Sequence, residues 1–77
     1  MEQEVILYTV PGCPLCDAAR AWLNRNCLEF SERDVKNDFS ALRRMYRLTR
    51  QHLVPVIEAR GKVVVRPREV ELAILLL

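Results

Sequence analysis

The chain has 77 residues, 51% of them apolar and 29% charged, with twelve basic against ten acidic side chains and a net charge of +2. That length leaves room for one domain, residues 1–77, near the lower edge of independently stable folds, where roughly 60% of the unfolded surface can be buried. The near-balance of charge argues against a nucleic-acid-binding protein, and two glycines with four prolines exclude collagen-like and linker-like chains. Three cysteines are too few, and odd in number, for a disulfide-stapled secreted scaffold.

The N-terminus reads MEQEVILYTV, acidic where a secretory signal is basic. The longest apolar run, Leu72 to Leu77, falls well short of the ~18–20 residues that span a bilayer. The expectation is a cytoplasmic protein that does not associate with membranes.

Glu4 to Thr9 is rich in β-branched and aromatic residues and ends at Pro11-Gly12, which predicts a buried strand. Pro14 suits the first turn of a helix, where its missing N–H is no loss. Leu15, Ala19, Trp22, Leu23 and Asn26 then recur at helical spacing as an inner face. Leu28 to Val35 alternates loosely and predicts a second strand. Asn37 or Asp38 can cap a second helix in which Phe39, Leu42, Met45, Tyr46 and Thr49 share a face. Leu53 to Ala59 and Lys62 to Val65 flank Arg60-Gly61 as a hairpin. Pro67 opens a last helix, with Glu69 and Glu71 near its positive end. In that helix Val70, Ala73, Ile74 and Leu77 are expected to face inward, leaving Leu72, Leu75 and Leu76 for other contacts. The order β-α-β-α-β-β-α predicts a small α/β protein: a mixed sheet of four strands, with three helices distributed over both faces.

Cys13-Pro14-Leu15-Cys16 is a C-x-x-C motif between a predicted strand and a predicted helix. Unpaired N–H groups and the positive dipole end of a helix stabilise a thiolate there. In such settings a cysteine pKa can fall from about 8.5 to between about 3.5 and 7.5. Cys13, at the helix entrance, is therefore expected as the nucleophile. Cys16, three residues on and on the same side, is placed to resolve a mixed disulfide. No metal or organic cofactor is required. Pro55 is an awkward start for an inner strand if its peptide bond is trans. A cis Val54–Pro55 bond would present the Val54 backbone to an extended thiol substrate; the residues alone leave the isomer open.

The chain resembles the glutaredoxin family, and within it the short glutaredoxin-like proteins of thioredoxin fold. The likeness is carried by Tyr8-Thr9-Val10-Pro11-Gly12-Cys13-Pro14-Leu15-Cys16, by Asp34-Val35 and by Val54-Pro55. It implies a thioredoxin-like fold, a nucleophilic Cys13, a resolving Cys16 and a cis-proline at Pro55. Tyr8, Gly12, Pro14, Val54, Pro55 and Arg66 are the expected substrate-binding positions, with a place in the core equally open to Tyr8. Two departures bear on specificity. Glutathione-binding members carry Gly-Gly and an acidic residue after the fourth strand, where this chain reads Val65-Arg66-Pro67-Arg68-Glu69. The basic residue common before the first active-site cysteine is also absent, since Val10, Pro11 and Gly12 stand there. Arg66-Pro67 instead resembles a step in glutaredoxin-like electron donors that thioredoxin reductase can reduce. The expected activity is thiol–disulfide exchange on a protein or small-molecule disulfide by a monomer. Either glutathione or thioredoxin reductase is its source of electrons.

The remaining residues have plainer readings. Zinc needs four ligands, and only Cys27 and His52 are left to complete a site with the cysteine pair. A metal or iron–sulfur carrier thus stands as an alternative behind redox chemistry. Cys27 is expected to be a small buried hydrophobe, His52 a surface residue and Trp22 part of the core. Asp17 reads as a charge in the first turn of the helix or, from its closeness to the thiols, as a residue that tunes them. Arg43, Arg44, Arg47 and Arg50 form a cationic cluster, with Arg43, Arg47 and Arg50 on one helical face. That face is either simply solvated or an anion site, and the latter would make the chain an interaction module.

Overall fold

The computed structural model describes residues 4–77; Met1, Glu2 and Gln3, part of the acidic N-terminus, lie outside the described residues. Four strands and three helices follow in the order β1 (Val5–Thr9), α1 (Pro14–Arg25), β2 (Ser31–Asp34), α2 (Phe39–Thr49), β3 (Val56–Ala59), β4 (Lys62–Val65) and α3 (Glu69–Leu76). The sheet runs β2-β1-β3-β4, with β1 parallel to β2 and antiparallel pairs at β1/β3 and β3/β4.

The unbroken apolar character of β1 follows from its central place, because both of its faces are covered. Val5 and Leu7 join Ile57 and Ala59 on one face, under Ala19, Trp22 and Leu23 of α1 and Leu72, Leu75 and Leu76 of α3. Tyr8 and Val56 face the other way, against Ala41 and Met45 of α2. Register aligns Leu7 with Ile57 and Tyr8 with Val56, so the pleat sends matching residues to matching faces.

Local chemistry sets most of the boundaries. Asp34 accepts from the N–H groups of Lys36 and Asn37 at 2.9 and 3.3 Å, a turn that ends β2. Asp38 caps α2 by accepting from Ala41 N–H at 3.1 Å. Arg60 and Gly61 both have positive φ (54° and 73°), as the two-residue turn of a tight hairpin requires.

The structure corrects several expectations. Strand β2 starts at Ser31 rather than Leu28, since pairing with β1 begins at Ile6 opposite Ser31, while Leu28 and Phe30 pack against the core ahead of it. Strand β3 starts at Val56, after Pro55, which has no N–H to give a ladder. In α1, Leu15 is 52% exposed and Cys16 is buried in its stead. In α2 only Ala41 and Met45 are buried, and Phe39 and Tyr46 are exposed. At 100° per residue, Phe39 lies about 200° round the helix from Ala41, and Tyr46 about 100° from Met45.

The largest correction concerns α3. Leu72, Leu75 and Leu76 face the core, while Val70, Ile74 and Leu77 are exposed, the reverse of expectation; of the expected inner face only Ala73 packs against the core. Nearly every residue of this helix after Glu71 is apolar, so periodicity offers two equivalent stripes and docking onto Leu7, Ile57 and Ala59 selects one. Cys27 is exposed, not buried. It holds a left-handed φ of 56° just past the end of α1, a position that turns the chain away from the helix.

Candidate functional site

The dithiol lies where β1 hands over to α1. After Thr9 the chain turns through Pro11 and Gly12, whose φ of 74° suits glycine. Cys13 is the N-cap of α1 and Pro14 its first residue. The N–H of Cys16 donates to Cys13 Sγ at 3.1 Å, so a backbone donor at the open helix end is aimed at that sulfur. Both cysteines are free thiols, Cys13 half-buried and Cys16 fully buried. Burial pushes the Cys16 thiol up to about 11, reinforced by its hydrogen bond with Cys13; the Val10 backbone and the Arg20 charge act in the opposite direction.

Cys16 and Cys13 pack with Val54 in one apolar cluster, which brings the segment ahead of β3 to the dithiol. The Val54–Pro55 peptide bond is cis. Arg66 lies just past β4 at a left-handed φ of 50° and holds this segment twice. Its backbone N–H donates to the Pro55 carbonyl at 2.7 Å, and its Nε donates to the Val54 carbonyl at 2.9 Å. Among the described residues no acceptor takes up the Val54 N–H. Leu15, Ala18, Pro55, Arg66 and Pro67 line a mostly apolar groove of about 320 Å³ beside the dithiol loop.

Of the expected substrate positions, Val54, Pro55 and Arg66 are thus brought together, and Gly12 and Pro14 are exposed beside Cys13. Tyr8 is corrected: it is wholly buried, and its hydroxyl donates to Glu58 Oε1 at 2.7 Å. A substrate at the surface does not meet it. Arg44 leaves the expected arginine cluster for the same carboxylate, with Nη2 at 2.5 Å from Glu58 Oε2. The pair holds Glu58 below the usual carboxylate range, while burial and Glu58 push the Tyr8 hydroxyl up to about 12.

A second polar group had no expectation attached to it. Arg20 reaches Asp17 at 2.7 Å and Glu32 at 2.6 Å, and Thr9 Oγ1 donates to Glu32 at 2.8 Å. This ties the helix turn after Cys16 to β2 and β1. The spacing of Arg20 four residues after Cys16 was the available signal; its partner Glu32, on a different element, was not. Among the described residues no three His, Cys, Asp or Glu side chains are grouped to hold a metal, and no helix is long and apolar enough to cross a membrane.

Comparison with known proteins agrees with this geometry. The Glutaredoxin family model matches residues 5–64. An uncharacterized glutaredoxin-like 8.6 kDa protein in the rubredoxin operon of Clostridium pasteurianum is 30% identical over 59 residues, covering 77% of this chain and 79% of that protein. The global transcriptional regulator Spx of Bacillus subtilis (strain 168) is 34% identical over 62 residues, covering 77% of this chain but 47% of the regulator. The chain therefore spans about half the length of the Spx proteins it matches. The crystal structure of the thioredoxin-like protein BC3987 superposes with a TM-score of 0.89 at 30% identity, covering 95% of this chain and all of that one. A glutaredoxin from Archaeoglobus fulgidus, 22% identical, shares the fold with a TM-score of 0.85, covering 94% of this chain and 84% of that one. By fold and by sequence, the chain belongs to the glutaredoxin family.

Proposed function

We propose that the chain is a dithiol–disulfide oxidoreductase. The observation that carries this reading is the Cys16 N–H aimed at Cys13 Sγ at 3.1 Å, at the open end of α1 and beside Val54. Cys13, as thiolate, attacks one sulfur of a substrate disulfide; that S–S bond breaks, and the departing thiolate takes up a proton. Cys16 then loses its proton and attacks Cys13 Sγ, releasing the second substrate thiol and leaving a Cys13–Cys16 disulfide. Two electrons pass to the substrate, and an external reductant must restore the dithiol.

Arg66 and Pro67, standing where glutathione-binding members carry Gly-Gly, favour a protein reductant of the thioredoxin reductase type over glutathione. An extended substrate that adds to this segment as a strand uses both a backbone donor and an acceptor, and Arg66 already occupies one lone pair of the Val54 carbonyl. The test is turnover of insulin or hydroxyethyl disulfide by the fully reduced protein, once with glutathione plus glutathione reductase and once with thioredoxin reductase. Failure with both sinks the reading. Metal analysis and an absorption spectrum of anaerobically prepared protein separate it from a metal or iron–sulfur carrier.

A further inference from the structure

The outer face of α2 carries a feature that disulfide exchange does not use. Arg43, Arg47 and Arg50 follow one another at spacings of four and three, and all are exposed. Phe39, one turn before Arg43, is 69% exposed, and the Arg43 guanidinium lies over its ring, 5.5 Å from the centroid. Tyr46, also exposed, packs against His52 with ring centroids 4.8 Å apart. These six side chains border an open groove of about 470 Å³.

Three cations without a carboxylate partner gather on this face; Lys36, Arg60, Lys62 and Arg66, elsewhere on the chain, likewise have none among the described residues. Arg20, Arg25, Arg33, Arg44 and Arg68 each hold a carboxylate. Among the described residues Arg43, Arg47 and Arg50 hold none. Three charges here exceed the +2 of the whole chain, so the remainder of the molecule is net acidic. Cations toward the end of a helix complement its dipole, which accounts for Arg47 as a solvated residue. It does not account for a large exposed ring beneath Arg43 or for the Tyr46–His52 pair. Aromatic rings and arginine together are the composition of protein-binding surfaces.

We propose that this face docks a short acidic segment of a partner protein. The stripe from Phe39 to Arg50 is roughly 16 Å long at 1.5 Å per residue, the reach of about five extended residues. Carboxylates would pair with the three guanidinium groups, and an apolar side chain between them would lie on Phe39 or Tyr46. Stacking on Phe39 already restricts Arg43, which lowers the entropy lost on binding. A nucleic-acid strand suits the face less, because the chain as a whole carries only +2. The proposal does not depend on the thiols.

The experiment measures binding of a fluorescein-labelled peptide of alternating glutamate and tryptophan, about ten residues long, by anisotropy at low and physiological salt. Wild type is expected to bind and to weaken as salt rises. The double variant R43S/R47S should lose about tenfold or more in affinity, as two exposed charge pairs and a stacked contact imply. The charge-matched control R25S/R68S should stay within about twofold, with circular dichroism confirming that both variants fold. Hydroxyethyl disulfide turnover, where present, should be the same in R43S/R47S as in wild type. Equal losses in the two double variants would show attraction by net charge alone and overturn the proposal. So would absent peptide binding, or tighter binding of a labelled single-stranded oligothymidylate through the same residues.

Discussion

Arg66, which lines the groove beside the dithiol, donates from its guanidinium Nε to the backbone carbonyl of Val54 at 2.9 Å. The two residues are twelve apart in sequence, and the contact occupies half of the backbone pair that an extended substrate would seek. Arg66 also sits at a φ of 50°, where most side chains are disfavoured and glycine is not. Arg66→Gly therefore frees the Val54 carbonyl without opposing the backbone. A regained hydrogen bond of about 0.5–1.5 kcal/mol should lower KM for a glutathionylated peptide by roughly two- to tenfold, with kcat changed less. An unchanged KM means that the carbonyl is not part of the substrate surface.

Cys16→Ser should accumulate a mixed disulfide on Cys13 when the reduced protein meets a disulfide substrate, and mass spectrometry of the tryptic peptides locates it. Cys13→Ser should reduce turnover to background. Cys27 is exposed as well, so an adduct found there in place of Cys13 would reverse the assignment.

Resolution by Cys16 requires its thiolate; this thiol stands at about 11 in the dithiol form, chiefly through burial, which a mixed disulfide on Cys13 leaves in place. Below that value the reactive fraction grows about tenfold per pH unit. Release of product from a preformed mixed disulfide should therefore accelerate from pH 7 to pH 9 with a slope near one in a stopped-flow experiment. A rate independent of pH over this range would place the resolving step elsewhere.

Stability should carry the same signature at alkaline pH. Cys16 and Tyr8 are both raised in the folded protein, to about 11 and about 12, so each favours the native state while it stays protonated. That contribution is complete below the unfolded values, near 9 and 10, and is lost as pH rises through the folded ones. Urea midpoints should fall between pH 9 and 12, less steeply in Cys16→Ser. The acid limb runs the other way. Arg44 holds Glu58 below the ordinary carboxylate range, so its contribution is present at neutral pH and lost as pH falls through the folded value. Glu58→Gln should lower the midpoint at pH 7 and differ little from wild type in strong acid.

The seating of α3 separates two leucine-like positions by their surroundings. Leu72 is 1% exposed and Ile74 is 80% exposed. Leu72→Ala should cost about 2–5 kcal/mol in chemical denaturation, whereas Ile74→Ser should stay within about 0.5 kcal/mol. Similar losses at both positions would contradict the observed face of the helix.

The sequence by itself determined what depends on neighbours a few residues apart. Element order, a cap at Asn37 or Asp38, the Arg60-Gly61 turn and Cys13 at the head of a helix are local matters of dihedral preference, hydrogen-bond supply and period. The C-x-x-C spacing also brought two thiols to one side, since they stand three residues apart at the head of a helix. Only the tertiary structure decided which apolar stripe of α3 is buried, that Phe39 and Tyr46 face outward, and that Tyr8 is sealed beneath Glu58. It also decided that Arg66 holds Val54 and that Arg44, alone of the α2 arginines, turns to a carboxylate. These outcomes join residues from 12 to 50 positions apart, or choose between faces that local periodicity ranks equally. Burial of the shared core breaks those ties, because it is the assembled sheet, not any one segment, that sets which surface is withdrawn from water.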